Sequence, residues 1–137
     1  MESHIELSNG ILTHAQIKGL FDSLPCELTF QDENDVLRFY TQDEEPIFTR
    51  TPEIIGTDVR DCHDPKSYPA IDLMIENFKS GKFDRAEHVM EHKGKLLYIL
   101  YLAVRGDEGN YVGILEFVQD ITRFKRYRKM MKELEYS

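Results

Sequence analysis

The run Leu96-Leu-Tyr-Ile-Leu-Tyr-Leu-Ala-Val104 is apolar at every position, and it limits the possible folds more than any other feature of the chain. It is only about half as long as a membrane-spanning helix needs. Read as a strand, it sends alternate side chains to opposite faces. Leu96, Tyr98, Leu100, Leu102 and Val104 then share one face, and Leu97, Ile99, Tyr101 and Ala103 share the other. Both faces are apolar, so both require cover. The outer face must therefore meet an amphipathic helix at the N-terminus or another subunit.

The neighbouring segments supply the rest of a sheet. Arg85–Glu91 and Tyr111–Asp120 read as strands flanking Lys95–Arg105, with Lys93-Gly94 and Gly106–Asn110 as the turns. Glu27–Gln31 and Val36–Tyr40 read as two more, joined by the turn residues Asp32-Glu-Asn-Asp35. Between the two groups, Ser67–Lys79 reads as a helix with Ser67 as cap, Pro69 in the first turn and Ser80-Gly81 as the stop. Pro46, Pro52, Gly56 and Pro65 break residues 44–64 into brief turns. A short helix over 13–24 opens on a Thr13–Gln16 capping box and ends at Pro25. A charged helix from Arg123 to about Glu135 closes the chain. This order predicts an α+β fold, an antiparallel sheet with helices on one face. We divide it into an N-terminal flanking helix (1–24), a core (25–122) and a C-terminal signalling or dimerisation helix (123–137).

The 137 residues fit one domain, and a net charge of −8 argues against nucleic acid or an anionic membrane as main partner. Cys26 and Cys62 are too few for a disulfide framework, and Met1-Glu-Ser-His lacks the basic and apolar parts of a secretion signal. A cytoplasmic location is expected.

With the strand order in place, a resemblance becomes visible. Gln119-Asp120-Ile121-Thr122 before a helix is similar to the Asp-Ile-Thr ending of many PAS cores. Leu24-Pro25 through Phe30, Ile54-Ile55-Gly56, Cys62-His63-Asp64-Pro65-Lys66-Ser67, Asn77–Lys82 and Ala103-Val104-Arg105 resemble, more closely, PAS modules fused behind hemerythrin-like domains in bacterial proteins. The resemblance covers roughly residues 24–122. It implies a five-stranded antiparallel sheet with a helical cluster on one face, enclosing a pocket, and a sensory or regulatory role. It also implies that Asp120 and Thr122 pin the start of the exit helix, for which Thr122 is a suitable N-cap. No hemerythrin-like domain precedes the module, so it either acts alone or is a piece of a longer protein. Asp64 stands where the subgroup tends to have proline, which loosens the approach to the long helix.

The expected pocket draws on the stripe Tyr68, Ile71, Ile75 and Phe78 and on Ile99 and Tyr101. His63, with Cys62 beside it, lies near where haem-binding PAS domains place an axial histidine. Haem is thus the cofactor to weigh, against plain packing of both residues at a helix start. No Cys-x-x-Cys accompanies the pair, so a closed zinc site would need distant ligands. His88-Val-Met-Glu91-His92 spells a zinc-protease pattern, but that pattern works only on a helix. On a strand rising about 3.3 Å per residue the two histidines lie roughly 13 Å apart, too far to grip one metal. Asp32–Asp35 lacks the glycine and closing glutamate of a calcium loop. No nucleophile with a positioned base can be assembled, so no catalytic residue is expected and the chain does not read as an enzyme.

Phe124, Tyr127, Met131 and Leu134 follow a 3-4-3 spacing on the basic terminal helix, the seam of a two-helix pairing. A helix this short is marginal alone, so it packs on its own sheet or on a second copy. Two functions follow. One is a sensor that binds a small apolar ligand, or haem, and signals through a homodimer. The other is a ligand-free module for protein–protein interaction.

Overall fold

The computed structural model describes residues 3–135. Its elements are β1 (His4–Leu7), β2 (Gly10–Thr13), α1 (His14–Ser23), β3 (Glu27–Asp32), β4 (Leu37–Tyr40), α2 (Tyr68–Ser80), β5 (Arg85–His92), β6 (Lys95–Arg105), β7 (Tyr111–Asp120) and α3 (Phe124–Glu135). Short 3-10 turns at Pro52–Ile54, Val59–Cys62 and Pro65–Ser67 carry the chain from β4 to α2. Five strands form one antiparallel sheet in the order β4-β3-β7-β6-β5, which is the architecture expected. Among the described residues, no helix is long and apolar enough to cross a membrane.

Local signals explain most boundaries. Thr13 and Gln16 form both bonds of the capping box, at 2.9 and 3.1 Å, and so start α1. Gly81 ends α2 in the left-handed conformation that glycine adopts without strain. Asp32 accepts the N–H groups of Asn34 and Val36 and shapes the β3–β4 turn.

Three features differ from expectation. A two-stranded hairpin, β1–β2, precedes α1; its signal, the alternation His4-Ile5-Glu6-Leu7 followed by Ser8-Asn9-Gly10, stands in the sequence and went unread. Ser67 occupies the cap position of α2, but its hydroxyl makes no capping bond. Asp64 instead accepts the N–H of Lys66 and organises the turn leading into the helix, so an acid does there by hydrogen bonding what a proline does by rigidity. Thr122 does not cap α3 with its side chain, because its hydroxyl oxygen accepts from the Leu96 N–H on β6.

The inner face of the sheet meets α2 and the 3-10 turns. Leu37, Val59, Ile75, Phe78 and Ile114 form one buried cluster, and Leu97, Ile99 and Val118 a second. The outer face is less covered than its composition demands. On β6, Leu96, Tyr98, Leu100, Leu102 and Val104 are half-buried. Contact between α1 and the sheet runs through Phe21 and Phe39, whose ring centres lie 5.1 Å apart, while Leu20 and Leu24 stay exposed.

Candidate functional site

The strand β3 is inverted relative to the usual rule. Leu28 and Phe30 face outward, paired with Phe117 and Leu115, while Glu27, Thr29 and Gln31 face inward, paired with Val118, Glu116 and Ile114. Across the floor of the sheet, Thr29 lies opposite Glu116 and Glu116 opposite Tyr101, so three polar side chains share a row.

Above this row is a cavity of about 340 Å³. Ile71 and Met74 of α2, Val59, Leu37, Ile99 and Ile114 make its apolar wall. Phe48 and Arg50 close it from the segment after β4, and the exposed Cys62 and His63 stand at its open side. That segment has little backbone pairing of its own and is held by side chains. The Glu27 carboxylate, 6% exposed, accepts the N–H groups of Ile47 at 2.5 Å and Phe48 at 3.1 Å. Gln42 accepts the Arg50 N–H at 2.7 Å.

The cavity's electrostatics follow from these placements. Arg50 reaches Glu116 at 3.4 Å, so its one guanidinium and one carboxylate offset each other. Burial first, and then the negative Glu116, push the Tyr101 phenol well above its ordinary range and keep it protonated. Gln31 is only 7% exposed, and its side-chain N–H₂ has no hydrogen-bond partner.

Of the pocket residues expected from sequence, Ile71, Ile99 and Tyr101 line the cavity, as do Cys62 and His63. Ile75 and Phe78 are core residues at 4% and 1% exposure, and Tyr68 is outside the lining. Thr29, Gln31, Phe48, Arg50 and Glu116 were missed. Glu116, a lone acid within Ile114–Val118, is the one that a sequence reading had the means to flag. Haem fits this wall poorly: a porphyrin needs an apolar slot, whereas Thr29, Gln31, Arg50 and Glu116 all present polar groups in a small volume. His88 and His92 lie on the edge strand β5, His88 exposed and His92 against the Phe48 ring at 5.1 Å. Among the described residues no group of three metal-ligating side chains forms.

At the end of β7 a second small constellation joins sheet to exit helix. Asp120 accepts both the Thr122 N–H at 3.0 Å and its hydroxyl at 2.6 Å, and the same hydroxyl accepts from Leu96 at 2.9 Å. The Thr122 hydroxyl, then its N–H, hold the Asp120 carboxyl below the usual range. Beyond this joint, on α3, Phe124 and Tyr127 are each 42% exposed and Met131 is 62% exposed.

A family profile described as the PAS domain matches residues 17–122, more than half of the chain. The chain belongs to the PAS domain family. A crystallised C-terminal domain from Streptococcus mutans is similar to this PAS domain at 32% identity and a TM-score of 0.84, over 92% of this chain and 98% of that one. The PAS domain of Bordetella pertussis BvgS shares the fold at 16% identity and a TM-score of 0.60, over 88% of this chain and 96% of that one. A PAS domain from Colwellia psychrerythraea does so at 19% identity and 0.58, over 80% and 97%. A search of curated proteins finds no match.

Proposed function

We propose that this PAS domain is a sensory or regulatory module that takes a small, mainly apolar ligand into the cavity and passes the change to α3. The observation that carries the reading is one strand: β6 presents Ile99 and Tyr101 to the cavity and, three residues before Ile99, bonds Thr122 through Leu96. Occupancy that shifts β6 thus acts directly on the joint holding α3. Chains of similar fold belong to histidine kinases, among them a sensor histidine kinase from Vibrio cholerae. The likeness of Cys62–Ser67 and Asn77–Lys82 to modules fused behind hemerythrin-like domains also supports regulation over catalysis. Cys26 and Cys62 are free thiols, which suits a reducing, cytoplasmic setting.

Native mass spectrometry of the purified chain tests the ligand reading: a bound mass displaced by Ile99→Trp supports it, and an empty protein whose α3 exchange is insensitive to Ile99→Trp ends it. An absorbance band near 400 nm after expression with haem supply, lost in His63→Ala, would reinstate haem.

A second reading, a ligand-free homodimer module, is favoured by exposed apolar side chains on two separate helices. Leu20 of α1 is 57% exposed and Met131 of α3 is 62% exposed. Sedimentation of a chain ending at Thr122 decides whether Phe124, Tyr127 and Met131 form the seam: a dimer that survives the truncation excludes them.

A further inference from the structure

Gln31 is one of the few described residues with a buried side-chain polar atom that lacks a hydrogen-bond partner. It lies on the inner face of β3 opposite Ile114, lines the cavity, and is 7% exposed with its amide nitrogen unpartnered. A buried donor without a partner is costly, and natural cores hold few. The last side-chain torsion of glutamine is soft, so rotation about it can turn this N–H₂ toward an oxygen held in the cavity. Resting on the ligand-binding reading above, we infer that the ligand is a small neutral carbonyl compound, apolar over most of its surface, whose oxygen accepts a hydrogen bond from Gln31.

Four observations select that chemistry. The wall around Gln31 is made by Leu37, Val59, Ile71 and Ile114, which matches an aliphatic or aromatic body. The charges nearest the floor already offset each other, Arg50 against Glu116, so an anionic head would leave the wall with excess negative charge. A carbonyl accepts without bringing a donor of its own, and the carboxylate available to take one, Glu116, is engaged by Arg50. The volume of about 340 Å³ sits at the small end for ligand pockets, which fits a single ring or short chain.

The test compares three probes of matched size on the full chain, acetophenone, isopropylbenzene and benzoate, by amide NMR titration. Acetophenone should bind about tenfold more tightly than isopropylbenzene, the worth of one satisfied hydrogen bond. Benzoate should bind more weakly than acetophenone, and only acetophenone should move the Gln31 side-chain resonances strongly. In Gln31→Leu the preference for acetophenone should vanish while isopropylbenzene binding persists. Its melting temperature should equal or exceed that of the parent, since a buried unpaired donor is removed. Equal affinity for acetophenone and isopropylbenzene, or tightest binding by benzoate, overturns the inference and leaves the ligand reading intact. Failure of all three probes to move any resonance of the cavity wall removes both. The comparison in the parent chain decides the matter even where Gln31→Leu does not fold.

Discussion

Replacing Glu27 by glutamine should release the segment that closes the cavity. The Glu27 carboxylate is 6% exposed and uses both oxygens, one for the Ile47 N–H and one for the Phe48 N–H. Glutamine keeps one acceptor and sets an N–H₂ group against the other backbone donor, so one charge-assisted bond is lost and the second becomes neutral. Hydrogen bonds to charged groups are worth about 1.5–3 kcal/mol net, which puts the cost of Glu27→Gln at about 2 kcal/mol. Because the two bonds hold one loop, the loss should be local before it is global. Hydrogen exchange read by NMR should show the Ile47 and Phe48 amides losing about 30-fold in protection, the equivalent of that energy. Amides of β6 should fall only with overall stability. Unchanged protection at Ile47 and Phe48, with a stability loss below about 0.5 kcal/mol, would refute the reasoning.

Three further outcomes are expected. Phe78→Ala, at 1% exposure against Ile75 and Ile114, should lower stability by about 3–5 kcal/mol in denaturant titration. Gly113→Ala sets a Cβ 2.1 Å from the Gln31 carbonyl oxygen and 2.7 Å from the Phe30 ring; it should cost about 3 kcal/mol or leave the chain unfolded, as circular dichroism will tell. On acidification, Asp120, Asp32 and Asp58 act together. The Thr122 hydroxyl, the Arg38 guanidinium and the Arg60 backbone N–H, respectively, hold them below the ordinary value of 3.8. Depressed folded-state values mean full stabilisation above about pH 4 and progressive loss as pH falls through the folded-state values, so melting temperature should be flat near neutrality and drop below about pH 4.

What the sequence disclosed followed from how local each signal is. The capping box at Thr13 and Gln16, the left-handed stop at Gly81 and the doubly apolar β6 all depend on residues within a few positions of one another, and all are present. The cavity depends on contacts between distant segments. Ile71, Ile75 and Phe78 form one stripe on α2, yet only Ile71 faces empty volume, because what stands opposite a helix decides whether its stripe fills space or borders it. Alternation along β3 separates Leu28 and Phe30 from Thr29 and Gln31 but does not say which pair faces inward; the polar pair does. Arg50 reaches Glu116 across 66 positions from an irregular segment that carries no period. An amphipathic pattern on α3 likewise gives the stripe and not what lies against it, so the exposure of Phe124, Tyr127 and Met131 is not read from the sequence alone.

The borders of the large sheet restrict how copies of this molecule can meet. On one side is β5, whose Arg85, Glu87, His88 and Glu91 point charge and polarity at any incoming strand. On the other, β4 spans only Leu37–Tyr40, includes Arg38, and is followed by residues bent away from the ladder. Neither rim offers a long oily backbone template, so lateral extension into a continuous ribbon is disfavoured. The greasy broad side and the projecting helices have no such guard. Any pairing of copies would have to use those broad faces, which close on two partners, and not the rims, which would extend without limit.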